Sequence, residues 1–207
     1  MTAAQAGQRQ GAGEEKSNFR QRLLDALEAS IADDGYSRTT VADIVRRART
    51  SRRTFYQHFD TKEACFVALL HDANAAQVRQ IAAAVDPHAP WRTQVRQAIE
   101  AWISTGESRS PLMLSWFRDV PSLGEAARRL QRDATENFIE MVQALGGTDE
   151  FRAAGIAPVS RQRIIMLLGG LRELAAITVE EGGQMSDITE EAVDASVALL
   201  TPRDQTD

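Results

Sequence analysis

Apolar residues recur along this chain at intervals of three and four, and no apolar–polar alternation runs beyond four residues, so the pattern predicts an all-α fold. Phe19, Leu23, Leu27 and Ile31 form one face of a first helix, and Gly35 behind them suits a left-handed C-cap. Thr40-Val41-Ala42-Asp43 is a helix-start signal: a hydroxyl and a carboxylate three residues apart can each serve an otherwise unpaired backbone N–H. Val41, Ile44, Val45 and Ala48 then give a second helix of about two turns. Arg49 and Thr50 must form a turn, because Ser51 is the next cap candidate. A third short helix from Ser51 to about His58 would bury Phe55 and Phe59. Thr61 can cap a fourth, with Phe66, Leu69, Leu70, Ala73 and Ile81 inward.

Pro87 and Pro90 interrupt this series and mark a break between elements, although the fourth helix is expected to span both halves of the molecule. Trp91, Val95, Ala98, Ile99 and Trp102 outline a fifth helix. Pro111 opens a short sixth, and Pro121 a long seventh that ends at Gly146-Gly147. A loop is expected from there to Pro158. Ile164, Leu167, Leu168, Leu171, Leu174, Ala175 and Thr178 form an eighth helix, stopped by Gly182-Gly183, and a ninth runs from about Asp187 to Leu200. The chain thus reads as about nine helices. Residues 1–17 are polar and rich in Ala, Gly and Gln, and are expected to be a disordered arm. The division that follows is an arm over 1–17, a three-helix unit over 18–63 and a larger helical domain over 64–207.

Composition narrows the setting. There is no run of 18 apolar residues and no apolar signal-peptide core, and the single Cys65 cannot form an internal disulfide, so a cytoplasmic location is expected. The net charge of −5 would by itself argue against nucleic acid, but its distribution does not. Between Gly35 and Lys62 lie seven basic residues (Arg38, Arg46, Arg47, Arg49, Arg52, Arg53, Lys62) and two acidic ones (Asp43, Asp60), giving +5 there and −10 elsewhere. A basic patch on an acidic body suits a phosphate backbone. Arg46 and Arg47 read as plain surface charges.

Two short helices joined by a tight turn, the second basic at its start, fit a major groove, whose width admits one helix and whose base edges meet that helix's N-terminal residues. Thr50, Ser51, Arg52, Arg53 and Thr54 stand there, offering hydroxyl and guanidinium donors. The segment Gly35-Tyr36-Ser37-Arg38-Thr39-Thr40-Val41-Ala42-Asp43-Ile44, and then Ser51-Arg52-Arg53-Thr54-Phe55-Tyr56-Gln57-His58-Phe59 with Lys62-Glu63, resembles the helix-turn-helix of the TetR family. The resemblance implies a DNA-binding transcriptional regulator, most commonly a repressor, that binds a near-palindromic operator as a homodimer. It implies that Thr39 and Thr40 touch the DNA backbone, that Tyr56, His58 and Lys62 bond phosphates, and that Arg52, Arg53 and Thr54 read bases, while Phe55 and Phe59 belong to the core. One position departs from the family pattern: Arg49 stands where Gly is usual, and offers the DNA one more cation.

The same resemblance implies that the later helices bind a small effector and pair with a second copy. Trp91, Trp102, Met113, Trp116, Phe117, Phe138, Met141 and Met166 are aromatic or polarisable groups spread over several helices, of the kind that enclose an apolar or amphipathic ligand. The candidate lining is Trp102, Met113, Trp116, Phe117, Phe138 and Met141, with Arg172 to orient a polar group or to pair with Glu173. Leu167, Gly169, Gly170, Leu171 and Leu174, with Ala195 and Leu199 of the last helix, are the candidate dimer contacts, which would set two recognition helices about 35 Å apart. An effector would then act by tilting the fourth helix, rooted by Lys62 and Phe66. Other readings are a DNA-binding regulator with no effector, a protein-interaction module, and an enzyme. Against the last, there is no Gly-x-Ser-x-Gly elbow, phosphate-cradling glycine loop or paired His/Cys metal spacing, and no cofactor or metal is expected.

Overall fold

A computed structural model of the chain describes residues 3–156 and 158–201, with side chains from Ser17 onward. Among the described residues there are ten α-helices, two short 3-10 turns and no strand. The helices are α1 (Ala3–Asp34), α2 (Val41–Arg47), α3 (Arg52–His58), α4 (Lys62–Ala84), α5 (Trp91–Glu107), α6 (Ser110–Arg118), α7 (Glu125–Gly146), α8 (Asp149–Ala153), α9 (Arg161–Glu180) and α10 (Thr189–Leu200).

The breaks have local causes. Thr40, Ser51 and Thr61 each take an extended backbone, and each side chain accepts a hydrogen bond from the backbone N–H three residues on, capping α2, α3 and α4. Pro90 stands just before α5, and the buried Gln94 donates from its amide to the carbonyls of Pro87 (3.1 Å) and Ala89 (2.8 Å), folding the proline turn onto the helix it precedes. Three expectations need correction. α1 is already helical at Ala3, where an arm without structure was expected over 1–17. Ala, Gln, Glu, Arg and Lys are good helix formers, and no proline intervenes. Met1 and Thr2 lie outside the described residues. Pro121 does not open the seventh helix: it lies in the 3-10 turn Val120–Ser122, and α7 begins at Glu125 after extended Leu123. The expected loop before Pro158 contains α8, whose Phe151 packs on Trp91 with ring centroids 5.8 Å apart.

Burial falls into two clusters. In the first, Leu23, Leu24, Leu27 and Ile31 of α1 meet Ile44, Val45, Phe55 and Phe59, and Cys65, Phe66, Leu69 and Leu70 of α4. Full burial of each such side chain contributes about 1.5–3 kcal/mol. The cluster does not stop at the three-helix unit, for it also takes in Leu112 of α6, Val120, and Ala127 and Leu130 of α7. The second cluster joins Ile81 at the far end of α4 with α5, α7, α9 and α10. α4 therefore contributes to both.

Candidate functional site

The turn between α2 and α3 is closed from below. Arg49 has φ +49°, the one non-glycine residue with positive φ among the described residues, so it takes the conformation for which glycine would be the easier choice. The Arg22 guanidinium of α1 donates to the carbonyls of Ala48 and Arg49, and the Thr50 N–H donates to Val45 O at 2.9 Å. These bonds hold the left-handed residue in place and leave its side chain exposed.

The cations around this turn sort cleanly. Arg46 pairs with Asp43 at 2.8 Å, Arg47 pairs with Asp33, and Arg38 donates to Asp34 O at 2.7 Å. Arg49, Arg52 and Arg53 are exposed and have no carboxylate or side-chain hydrogen bond among the described residues. All three lie on the turn or the first turn of α3. Ser51 and Thr54 are bonded to each other, hydroxyl to hydroxyl, at 2.9 Å. Tyr56 is 55 % exposed, with its ring edge-on to the buried Phe55. His58 is half-buried in the last turn of α3, next to Phe59.

Two of the expected backbone contacts are placed differently. Thr39 is only 3 % exposed, and its hydroxyl donates to Gly35 O at 2.9 Å, so it belongs to the interior of the α1–α2 loop, while its neighbour Thr40 is exposed and caps α2. Lys62 sends two of its three donors inward, to Tyr36 O and Thr39 O at 3.0 Å each, with its ammonium 4.1 Å from the Tyr36 ring centre. Its charge is chiefly spent in fastening that loop to α4. Tyr36 in turn stacks on Phe66 at 4.1 Å. Burial, then the Glu63 and Asp119 carboxylates, raise its hydroxyl pKa well above the ordinary value, so it stays protonated.

A cavity of about 820 Å³, open mouth included, lies between α4, α5, α6, α7 and α9, at the seam of the two core clusters. Trp102, Met113, Trp116, Phe117, Phe138 and Arg172 all line it. Met141 does not: it packs half-buried against the second cluster. Sequence reading missed Asn74 and Gln77, although they continue the inward face of α4 past Leu70 and Ala73 with polar groups, and it missed Arg109 and Met185. Gly106 admits Met185, whose Sδ and Cε lie 2.8 Å from where a Cβ would stand. Arg172 lies over the Phe117 ring at 4.8 Å, and burial lowers its pKa, with the neighbouring Glu173 opposing. Arg172 does not pair with Glu173, because Arg118 takes that carboxylate at 3.0 Å together with Glu180 at 2.7 Å. Arg109 bonds Glu28 of α1 through two nitrogens, one at 2.6 Å. Cys65 is buried outside the cavity lining, and burial pushes its thiol up to about 12.

The outer face of α9 and α10 differs in detail from the expected dimer set. Leu167 and Leu171 are buried in the chain's own core, because their side of α9 faces α7 and α10. Leu174 and Leu199 are half-buried, and Gly169, Gly170 and Ala195 are exposed. The exposed apolar residues beside those glycines are Ile165, Met166 (59 %) and Ile177.

Against known proteins, the family model described as "Bacterial regulatory proteins, tetR family" matches residues 23–69. The HTH-type transcriptional regulator BetI of Burkholderia mallei (strain NCTC 10229) is 33 % identical over 125 residues, covering 58 % of this chain and 63 % of that protein. BetI of Burkholderia thailandensis is 34 % identical over 102 residues, 47 % and 51 % of the two chains. The chain thus matches less than two thirds of the length of these relatives. Among solved structures, the fatty acid degradation regulator FadR of Bacillus halodurans superposes with TM-score 0.73 at 14 % identity, over 89 % of this chain and 96 % of that one. FadR of Bacillus subtilis, solved in complex with stearoyl-CoA, gives 0.67 at 14 % over 87 % and 97 %. At these identities the structural likeness is one of fold. The matched segment holds the end of α1, α2, α3, their turn and the start of α4, so over these residues the chain carries the helix-turn-helix of the tetR family of bacterial regulatory proteins, and the whole shares the all-helical fold of the solved regulators.

Proposed function

We propose that the chain is a transcriptional repressor that binds a near-palindromic DNA operator as a homodimer and is released by a small molecule held in the cavity between α4, α5, α6, α7 and α9. The observation that carries this reading is the sorting of the cations between Gly35 and Lys62: Arg38, Arg46, Arg47 and Lys62 are engaged within the chain, and Arg49, Arg52 and Arg53 at the start of α3 are left for an external anion. Arg52, Arg53 and Thr54 read base edges. Thr40, Thr50, Ser51, Tyr56 and His58 meet the phosphate backbone, and Arg49 adds a phosphate contact. The dimer forms through the exposed strip of Ile165, Met166, Gly169, Gly170 and Ile177 with Ala195 and Leu199, the glycines permitting close approach. The ligand changes the tilt of α4, which is rooted in both core clusters, and must bind the released state more tightly to do so.

The test is fluorescence anisotropy of the purified protein with DNA from the region beside its own gene, at near-physiological salt, against a scrambled duplex. Tight, salt-sensitive binding of two protomers to one near-palindrome is expected. Binding no tighter than to the scramble, both there and in a genome-wide selection, would remove the DNA-binding reading.

A further inference from the structure

The cavity wall has an electrostatic bias that aromatic lining alone does not convey. Among the residues that line it there are two arginines and no aspartate or glutamate. Arg109 is already neutralised by the two-point bond to Glu28. Arg172 is not: the adjacent Glu173 is held by Arg118, and no carboxylate pairs with Arg172 among the described residues. Its cation lies over the Phe117 face and feels the Glu173 carboxylate without a direct ion pair. A half-buried guanidinium beside apolar surface is costly without a counter-charge, and its planar fork matches a carboxylate at two points. We propose that the cavity takes an amphipathic anion, with its apolar body against Trp102, Trp116 and Phe138 and one carboxylate-type head on Arg172.

The remaining polar groups fit a singly charged head. Thr105 and Thr135 donate their hydroxyls to carbonyls of their own helices, Ala101 O at 2.7 Å and Gln131 O at 2.8 Å, which leaves the amides of Asn74, Gln77 and Gln131, with the indole N–H groups of Trp102 and Trp116, as the other side-chain donors in the wall. An aromatic wall often serves a quaternary ammonium through cation–π attraction. Here such a cation would share the cavity with Arg172 and find no acid. The inference rests on the reading of this cavity as the effector site.

Three probes of matched shape decide it, titrated into the full chain and followed by tryptophan fluorescence, since Trp102 and Trp116 stand in the wall. They are 4-phenylbutyrate, its primary amide, and 3-phenylpropyl-trimethylammonium, with decanoate as a longer carboxylate. The carboxylates should bind at least about tenfold tighter than the amide, the ammonium more weakly still. Arg172→Gln should erase the carboxylate preference, and Arg172→Lys, which keeps the charge without the fork, should restore part of it. Amide or ammonium binding as tight as carboxylate overturns the inference, as does a carboxylate preference that survives in Arg172→Gln. Binding by no probe overturns it along with the cavity as a ligand site. Carboxylate binding that leaves DNA affinity unchanged keeps the anion site and removes its role in release.

Discussion

A left-handed arginine at the tip of the α2–α3 turn is held there by specific bonds. Arg49 gives up about 1 kcal/mol relative to glycine in this conformation. The Arg22 guanidinium beneath it supplies the compensating hydrogen bonds. The same economy of polar atoms separates Lys62 from Arg53, two cations that look alike in the sequence. Lys62 is engaged with two carbonyls and an aromatic ring, whereas Arg53 is exposed. Lys62→Met should therefore lower stability by about 1 kcal/mol, a fall of roughly 2–4 °C in melting temperature for a chain of this size, and change the salt dependence of DNA binding by less than one phosphate contact. Arg53→Ala should leave the melting temperature in place and reduce discrimination between operator and mismatched sites, by about 1–3 kcal/mol if its contact is bidentate to guanine. Calorimetry and salt titration on both variants check this. An unshifted melting curve for Lys62→Met with a full loss in salt slope would return Lys62 to the DNA.

At the scale of single helices, α2 depends on its start. Thr40 accepts from the Asp43 N–H, the Asp43 carboxylate accepts from the Thr40 N–H at 3.1 Å and hydroxyl at 2.6 Å, and seven residues cannot sustain a helix by propensity alone. Thr40→Ala should cost about 1 kcal/mol, read as faster amide exchange in α2. The hydrogen bonds from Thr40 lead the causes that hold the Asp43 carboxyl below its ordinary value. A group depressed on folding lends its stability above its unfolded pKa and loses it as pH falls through the folded one, so the cap should be intact at neutral pH and open only in strong acid. An α2 that frays between pH 7 and 5 would contradict this. All three caps of this region were legible in the sequence, because Thr40, Ser51 and Thr61 are polar residues directly before periodic apolar ones, and such signals are local. Lys62 was not, since the carbonyls of Tyr36 and Thr39 reach it only when the α1–α2 loop packs on α4, and Thr39 was not, since that same packing decides whether its hydroxyl turns in to Gly35 O or out to solvent. The outward face of α9 was also hidden. A helix apolar on most sides, with Ile165, Met166, Leu167, Leu168 and Leu171 together, does not declare which side its own domain covers. Arg172 was legible as an anomaly in an apolar helix, but its lack of an acid partner depends on Arg118 reaching Glu173 from α6.

Over the whole molecule, charge and apolar surface are segregated. The +5 segment is carried by a body of −10, so a polyanion such as DNA would be drawn to that segment and repelled by the rest. The exposed strip on α9 offers a clean test of assembly, because a Cβ at Gly170 would meet nothing within 4 Å. Gly170→Arg should leave the protomer folded, shift it to a monomer in sedimentation, and abolish tight operator binding. A variant that remains dimeric would place the partner elsewhere.

The first core cluster, finally, bears on modularity. Leu112, Val120, Ala127 and Leu130 lie far along the chain from the helix-turn-helix, yet they share its buried interior. The helix-turn-helix end is therefore no detachable cassette. Cut at residue 63, it would lose its partners from α4, α6 and α7 and open its oily side to water. A functional graft onto another regulator of this fold would have to carry the matching surfaces of those three helices, so operator specificity can be re-tuned by exchanging the exposed residues of α3 far more cheaply than by exchanging the head.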